Sequence, residues 1–205
     1  MIKIKLCGLT RPCDIEAANE LRPEYIGFVF APKSKRYVTA EKAAELKKAL
    51  APEILAVGVF VNETPEKVAE LLNQGVIDLA QLHGSEDEDY IARLRKLTDK
   101  PIIKAFTIYE ERNLKAAEMS TADHILLDSG AGTGKVFDWA LLKCIQRPYF
   151  LAGGLDVHNV GEATKEIAPY AVDVSSGIET HGVKDKEKMA AFVREVRNPG
   201  GSSNP

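Results

Sequence analysis

Short apolar runs recur along the chain, and their β-branched and aliphatic composition predicts eight β-strands. The predicted strands are residues 2–6, 25–30, 55–61, 78–82, 102–106, 124–128, 149–152 and 171–175. Most of these runs are apolar throughout rather than alternating with polar residues, which is typical of parallel strands that are buried on both faces.

Helix signals separate these runs. Helices are predicted near Pro12 and over residues 40–50, 110–119, 138–144, 157–167 and 185–196. Another helix is predicted after Thr64, with Thr64 as its N-cap and Pro65 at its first position. Residues 85–88, Ser-Glu-Asp-Glu, have the pattern of a capping box and predict Ser85 as the cap of a further helix.

Strands that alternate with helices indicate right-handed crossover connections and a parallel sheet. Eight strand–helix pairs in 205 residues give about 26 residues per pair, which is compact but sufficient for a single α/β chain closed into a (β/α)8 TIM barrel. A doubly wound open sheet is the competing architecture. The barrel domain is predicted over residues 1–197, and the linker-like composition of residues 198–205 predicts a disordered tail.

The composition narrows the classes of partner. The chain has 27 Lys and Arg against 30 Asp and Glu, a net charge of −3. This charge gives no electrostatic reason for the chain to bind nucleic acid. No apolar run reaches the roughly 18 residues that span a membrane, and the charges within residues 1–5 interrupt any signal-peptide core. The odd set of three cysteines, Cys7, Cys13 and Cys144, favours free thiols in the reducing cytoplasm. The composition indicates no particular oligomeric state.

Small and polar residues follow the last two predicted strands at their carboxyl ends, where (β/α)8 barrels carry their active sites. Gly153 and Gly154 follow the seventh strand, and Ser175, Ser176 and Gly177 end or follow the eighth. Glycines expose backbone N–H groups, so the two segments together predict a phosphate-binding cradle. Two tight turns that require glycine are the alternative interpretation.

Cys7 lies at the end of the first predicted strand, and Asp128 lies at the end of the sixth. A thiol and a carboxyl group that meet across a barrel mouth suit acid–base catalysis. An inert buried thiol and a carboxylate that caps a helix or pairs with a loop cation are the structural alternatives. Arg36 is suited to binding a carboxylate through two hydrogen bonds, whereas His83 is either catalytic or a hydrogen-bonded structural group. The four histidines are scattered, and no cluster has the spacing of a metal site.

Residues 130–135, Gly-Ala-Gly-Thr-Gly-Lys, look like a nucleotide-binding loop but do not fit its pattern. Ser129 stands where a P-loop needs its first glycine, and Val136 stands where it needs serine or threonine. The segment is therefore predicted to be a mobile lid after the sixth strand.

Longer motifs run in order from residue 5 to residue 179, and together they resemble one enzyme family. The motifs are Lys5-Leu-Cys-Gly-Leu-Thr10, Gly27-Phe-Val-Phe-Ala-Pro-Lys-Ser-Lys-Arg-Tyr37, Val57-Gly-Val-Phe-Val-Asn62, Gln81-Leu-His-Gly84, Leu126-Leu-Asp-Ser129, Gly132-Thr-Gly-Lys-Val-Phe-Asp-Trp139, Ala152-Gly-Gly-Leu155 and Val172-Asp-Val-Ser-Ser-Gly-Ile-Glu179. The chain resembles the phosphoribosylanthranilate isomerase family of tryptophan biosynthesis. It departs at residues 180–182, Thr-His-Gly, where that family often has proline before the glycine.

The resemblance implies a cofactor-free isomerase that acts on a small phosphoribosyl substrate. The implied reaction is the Amadori rearrangement of N-(5-phosphoribosyl)anthranilate to 1-(2-carboxyphenylamino)-1-deoxyribulose 5-phosphate. Cys7 is implied as the general base and Asp128 as the general acid. Arg36 is implied near the anthranilate, and the loops after the seventh and eighth strands are implied at the phosphate. We also predict His83 among the substrate-binding side chains.

Both catalytic roles require shifted pKa values. Partial burial would raise the pKa of Asp128 and keep it protonated, whereas Cys7 needs a lowered pKa because the thiolate is the base. Strand parity places Lys5 on the same face as Cys7, and it places Asp173 on the same face as Ser175 of the neighbouring eighth strand. We therefore expect Lys5 to lie beneath Cys7, favour its thiolate and pair with Asp173. A purely structural ion pair is the alternative.

Three other functions fit parts of the pattern. The sugar isomerase of histidine biosynthesis is also a phosphate-binding barrel, but it uses two carboxylates, whereas the first strand here ends in Cys7. An aldolase that forms a Schiff base needs a lysine at a strand end, and Lys104 lies within the fifth predicted strand. A non-catalytic protein that binds a phosphate metabolite has no use for Cys7 and Asp128 together.

Overall fold

A computed structural model describes residues 1–108, 111–128, 142 and 145–198 of the chain. The barrel strands are β1 (Lys3–Cys7), β2 (Tyr25–Val29), β3 (Leu55–Phe60), β4 (Leu79–Leu82), β5 (Ile102–Thr107), β6 (His124–Asp128), β7 (Tyr149–Ala152) and β8 (Ala171–Val174). Neighbouring strands pair in parallel, and β1 pairs with both β2 and β8, so the sheet closes on itself. The predicted barrel is confirmed, and the open sheet is excluded because it would leave two edge strands.

Helices cover the outside of the barrel. They are α1 (Pro12–Leu21), α2 (Ala40–Ala49), α3 (Pro65–Asn73), α4 (Glu88–Arg95), α5 (Glu111–Met119), α6 (Val160–Ile167) and α7 (Lys186–Arg197). Between β8 and α7 the chain forms a short 3-10 helix (Ser176–Ile178) and an antiparallel hairpin of β9 (Glu179–Thr180) and β10 (Val183–Lys184). Thr64 caps α3 as predicted, because its side chain accepts a hydrogen bond from the Lys67 backbone N–H.

Two predicted helix starts are wrong by a few residues. The cap of α4 is Asp87 rather than Ser85, because the Asp87 carboxylate accepts a backbone N–H of the first turn while Ser85 bonds to a neighbouring loop. Helix α6 begins at Val160, later than predicted, because the side chains of Asp156 and Asn159 hold the preceding residues in a turn. The predicted lid at 130–135, most of the helix predicted over 138–144 and residues 199–205 lie outside the described part of the chain.

Two apolar layers hold the barrel together. A large cluster joins the outer faces of the strands to the helices. A smaller cluster fills the inside of the barrel and consists of Tyr25, Val57, Leu79, Ile103, Ala105, Leu126, Phe150, Ala152 and Ala171. Because side chains alternate across a strand, the inward-facing residues beyond this cluster point to the barrel mouth. Among the described residues, no helix combines the length and the apolar character that crossing a membrane requires.

Candidate active site

A cavity of about 350 Å³ lies at the carboxyl ends of the strands. It brings together most of the site residues predicted from the sequence, namely Cys7, Arg36, His83, Asp128, Gly153, Gly154, Ser175 and Ser176. Gln81 and Asp173 line it as well. Gly177 does not line the cavity, and it lies instead in the 3-10 helix, where a Cβ atom would overlap the Leu155 carbonyl oxygen. Gly177 is therefore required by the close approach of two backbones.

Lys5 and Asp173 form the predicted ion pair at the floor of this cavity. Strand register places the two residues directly opposite each other on β1 and β8. Lys5 is fully buried, and its Nζ lies 2.9 Å from Oδ1 of Asp173. Lys5 also interacts with the Cys7 side chain two residues further along β1. Burial alone would lower the pKa of Lys5, but Asp173 and Cys7 outweigh it, so the pKa is raised and the amine stays charged.

The Cys7 thiol is packed tightly. A Cβ atom on Gly27 of the neighbouring strand β2 would lie 2.7 Å from Cys7 Sγ, so glycine leaves the room that the sulfur needs. Burial raises the pKa of Cys7, while the positive charges of Lys5 and Lys184 act to lower it and Asp173 raises it further.

Lys5 therefore favours the thiolate, as expected, but the net lowering expected for the pKa of Cys7 is wrong. The reason is desolvation, because only 7% of the residue is exposed to solvent and this effect outweighs both lysines. Once the thiol with this raised pKa is ionised, its thiolate is a stronger base than the thiolate of an exposed cysteine.

Asp128 lies at the end of β6 and faces a histidine across the cavity. Its Oδ2 is 3.5 Å from Nε2 of His83, and both side chains are partly exposed. Gln81, two residues before His83 on β4, is buried, and its Nε2 lies 2.9 Å from Nδ1 of His83. The imidazole is therefore placed between a buried amide and the candidate acid.

Arg36, in the loop after β2, is held by a carboxylate to which sequence reasoning assigned no role. Its Nε and Nη2 donate to the two carboxylate oxygens of Glu179 at 2.5 and 2.9 Å. Lys184 donates to the same carboxylate and to the backbone oxygen of Ser175, both at 2.8 Å. Burial alone would raise the pKa of Glu179, but Arg36 and Lys184 outweigh it and lower the pKa to about 2. One edge of the guanidinium is thus fixed against the cavity wall.

The loops after β7 and β8 present backbone N–H groups to the cavity. Gly153 and Gly154 have φ angles of +96° and +63°, a left-handed conformation that favours glycine in both positions. Within the described part of the chain, the backbone N–H groups of Gly154 and Ser176 donate to no oxygen. The two segments that the sequence predicted as a phosphate cradle therefore face one cavity with donors still available.

Lys104 is placed away from this cavity. Its Nζ donates to the backbone oxygen of Gly84 at 2.8 Å and to the Glu86 carboxylate at 3.2 Å. A lysine that is buried and paired outside the cavity gives no support to a Schiff-base aldolase.

Three side chains of the site carried no assigned role in the sequence analysis: Gln81, Glu179 and Lys184. Gln81 begins the motif 81–84 and Glu179 ends the motif 172–179, so their presence in the motifs was the available signal. Lys184 had no such signal, because only the β9–β10 hairpin brings it to Ser175.

A closed barrel with a polar cavity at the carboxyl ends of its strands defines the class of (β/α)8-barrel enzymes. Within that class, a family model described as N-(5'phosphoribosyl)anthranilate (PRA) isomerase matches residues 4–195. The N-(5'-phosphoribosyl)anthranilate isomerase of Thermoanaerobacter pseudethanolicus is 45% identical, over 96% of this chain and 98% of that protein.

Solved structures of the same family are also similar to this chain. The phosphoribosyl anthranilate isomerase of Thermotoga maritima superposes with a TM-score of 0.88 at 36% identity, covering 96% of this chain and 99% of that one. A phosphoribosyl anthranilate isomerase in complex with reduced 1-(o-carboxyphenylamino)-1-deoxyribulose 5-phosphate superposes with a TM-score of 0.86 at 35% identity, with the same coverage. The chain belongs to the N-(5'-phosphoribosyl)anthranilate isomerase family. The resemblance of its motifs is confirmed, and with it the role of an aldose–ketose isomerase in tryptophan biosynthesis.

Proposed function

We propose that the isomerisation takes place in the cavity at the barrel mouth, with Asp128 as the general acid and Cys7 as the general base. The observation that carries this proposal is that the two side chains, from β6 and β1, line one cavity. The cavity volume of about 350 Å³ suits a small molecule. The reduced product held by one structural neighbour supports N-(5'-phosphoribosyl)anthranilate as the substrate.

The first step opens the ribose ring. Protonated Asp128 gives its proton to the ring oxygen while the bond from that oxygen to C1′ breaks. The lone pair of the anilino nitrogen forms the C1′=N bond of an iminium ion, and Asp128 is left as a carboxylate. This arrangement follows the general rule that a positioned acid must lie within hydrogen-bond reach of the group it protonates.

The second step moves a proton from carbon. The iminium makes the proton on C2′ acidic, and the Cys7 thiolate removes it to give an enolamine, in which the electron pair of the C–H bond becomes the C1′–C2′ double bond. Protonation of C1′ and loss of the proton from the C2′ hydroxyl then give the ketone. The iminium itself accepts the electrons, so the proposed route needs no cofactor and no metal ion.

The remaining contacts hold the two ends of the substrate. Arg36 is at the cavity wall, where the guanidinium N–H groups that Glu179 does not accept, and that donate to no other described residue, suit the anthranilate carboxylate, with His83 beside it. The backbone N–H groups of Gly154 and Ser176, in the loops that also contain Gly153, Ser175 and Gly177, suit the phosphate.

The proposed compartment is the cytoplasm, because the reaction needs Cys7 as a free thiol and the cytoplasm keeps thiols reduced. The small phosphoribosyl substrate is the partner that this site requires. The proposed function involves neither nucleic acid nor a membrane.

A fluorescence assay that follows the loss of N-(5'-phosphoribosyl)anthranilate with the purified chain tests the function. Turnover is expected for the wild type and for Cys13→Ala, a matched control at an exposed cysteine on α1. Tight binding of the reduced product without turnover would instead favour a non-catalytic binding protein.

A further inference from the structure

Gln81 lies on the inner face of β4, and His83 comes directly after the end of that strand. They are two residues apart, so both side chains point into the barrel, above the apolar Leu79 of the interior cluster. Gln81 is 1% exposed, which places a polar amide inside the barrel directly beneath the imidazole.

The amide determines the proton positions on the ring. Gln81 Nε2 is 2.9 Å from His83 Nδ1, and an amide nitrogen can only donate, so Nδ1 accepts. A neutral imidazole that accepts at Nδ1 carries its proton on Nε2. That Nε2–H lies on the side of the ring that faces Asp128, whose Oδ2 is 3.5 Å away, somewhat beyond ordinary hydrogen-bond length.

We propose that Gln81 is a positioning residue that fixes the Nε2–H tautomer of His83, so that the ring presents a proton donor to Asp128 when the acid gives up its proton. The inference rests on the proposed role of Asp128 as the general acid. It adds an amide–imidazole pair that presents a proton donor to the carboxylate formed on Asp128.

The opposite tautomer shows why the selection matters. With the proton on Nδ1, Nε2 would be an acceptor, and its lone pair would face the carboxylate that ring opening leaves on Asp128. With the proton on Nε2, the ring instead presents a donor to that carboxylate. A donor next to a carboxylate stabilises the ionised form, so this tautomer helps Asp128 to release its proton during ring opening.

The burial of Gln81 supports a specific role for the amide. Its Oε1 is buried, and among the described residues it accepts no hydrogen bond. A buried amide oxygen without a partner destabilises the fold, so an apolar residue of the same size would suit the interior better. The bond from Nε2 to His83 is the contact that offsets this cost.

The tautomer is measurable in the wild-type enzyme. Nitrogen-15 NMR of the histidine side chains, with His83 assigned from a His83→Asn sample, distinguishes a protonated Nε2 from a protonated Nδ1. We expect His83 to carry its proton on Nε2. A proton on Nδ1 would overturn the proposal, since Gln81 would then present its oxygen to the ring.

Gln81→Met removes the donor but keeps the length of the side chain. We expect kcat to fall by about tenfold, as when other groups that orient a functional imidazole are removed, while KM changes by less than about twofold. The NMR spectrum of Gln81→Met should show a mixture of tautomers at His83. Gln74→Met, at an exposed glutamine after α3, is the matched control and should match the wild type in both measurements.

Combining Gln81→Met with His83→Asn separates positioning from packing. If Gln81 acts through His83, the double variant is no slower than His83→Asn alone. A further tenfold loss in the double variant would overturn the proposal. Failure of the proposed function would look different, because Asp128→Asn would then turn over normally whatever the tautomer of His83.

Discussion

The buried lysine beneath the candidate base offers the sharpest test of the electrostatics. Lys5 is fully buried, interacts with Cys7 and pairs with Asp173 at 2.9 Å. Two unit charges about 4 Å apart interact by roughly 4 kcal/mol at an effective dielectric constant near 20, and Asp173 offsets part of this for Cys7. About a third of that energy, roughly 1.4 kcal/mol, changes the population of thiolate tenfold.

Lys5→Met should therefore lower the alkylation rate of Cys7 at neutral pH by at least about tenfold. The rate is measured against pH with a haloacetamide, using mass spectrometry of the peptide that contains Cys7. Circular dichroism must show that the variant is folded, because an unpaired buried Asp173 costs roughly 3–5 kcal/mol of stability.

The double variant Lys5→Met/Asp173→Asn is the matched control. It removes both charges, whose effects on the thiol are opposed, so its alkylation rate should lie between those of the wild type and of Lys5→Met. An alkylation profile of Lys5→Met that equals the wild-type profile would show that Lys5 does not favour the Cys7 thiolate and would leave Lys5–Asp173 as a structural ion pair.

Contacts around the thiol and the guanidinium lead to three further expected results. Gly27→Ala places a Cβ atom 2.7 Å from Cys7 Sγ and so displaces the thiol. With the fold retained, kcat should fall by about tenfold or more, and an unchanged kcat would show that the thiol does not need this space. Arg36→Met should weaken binding of the reduced product by roughly 10–100-fold in calorimetry, whereas it should weaken binding of an analogue without the carboxylate much less. Equal losses for the two ligands would show that Arg36 does not bind the carboxylate. The pKa of Glu179 is lowered to about 2, so its contribution to stability is present above its unfolded value and is lost as the pH falls toward 2. The gap in free energy of unfolding between the wild type and Glu179→Gln should therefore shrink by about 2 kcal/mol from pH 5 to pH 3, measured with urea, and a constant gap would contradict this.

The fold was predictable because each element carried a local signal. The continuous apolar runs of the strands allow only burial on both faces, and the repeated strand–helix alternation allows only parallel pairing. The alternation of side chains along β1 and β8 also predicted that Lys5 pairs with Asp173, and the two residues lie opposite each other in the structure. The cap of α4 was not predictable from the pattern, since Ser85 and Asp87 are both good caps and the contact of Ser85 with the loop after β3 decides between them.

The site was predictable wherever a residue lies at a strand end. Cys7, His83 and Asp128 are of that kind, and the cavity contains all three. The charge network of Glu179 and Lys184 was not predictable from the sequence, because it depends on a hairpin that folds back after β8. The direction of the pKa of Cys7 was also beyond the sequence, since it depends on how completely the thiol is desolvated.

The proposed roles of Cys7 and Asp128 are tested most directly by comparing turnover with binding in Cys7→Ala and Asp128→Asn. Each variant should lose turnover by roughly 10²–10⁴-fold, because each lacks one proton-transfer group, while calorimetry gives a Kd for the reduced product close to that of the wild type. Near-normal turnover in either variant, or a loss of binding as large as the loss of turnover, would contradict these roles.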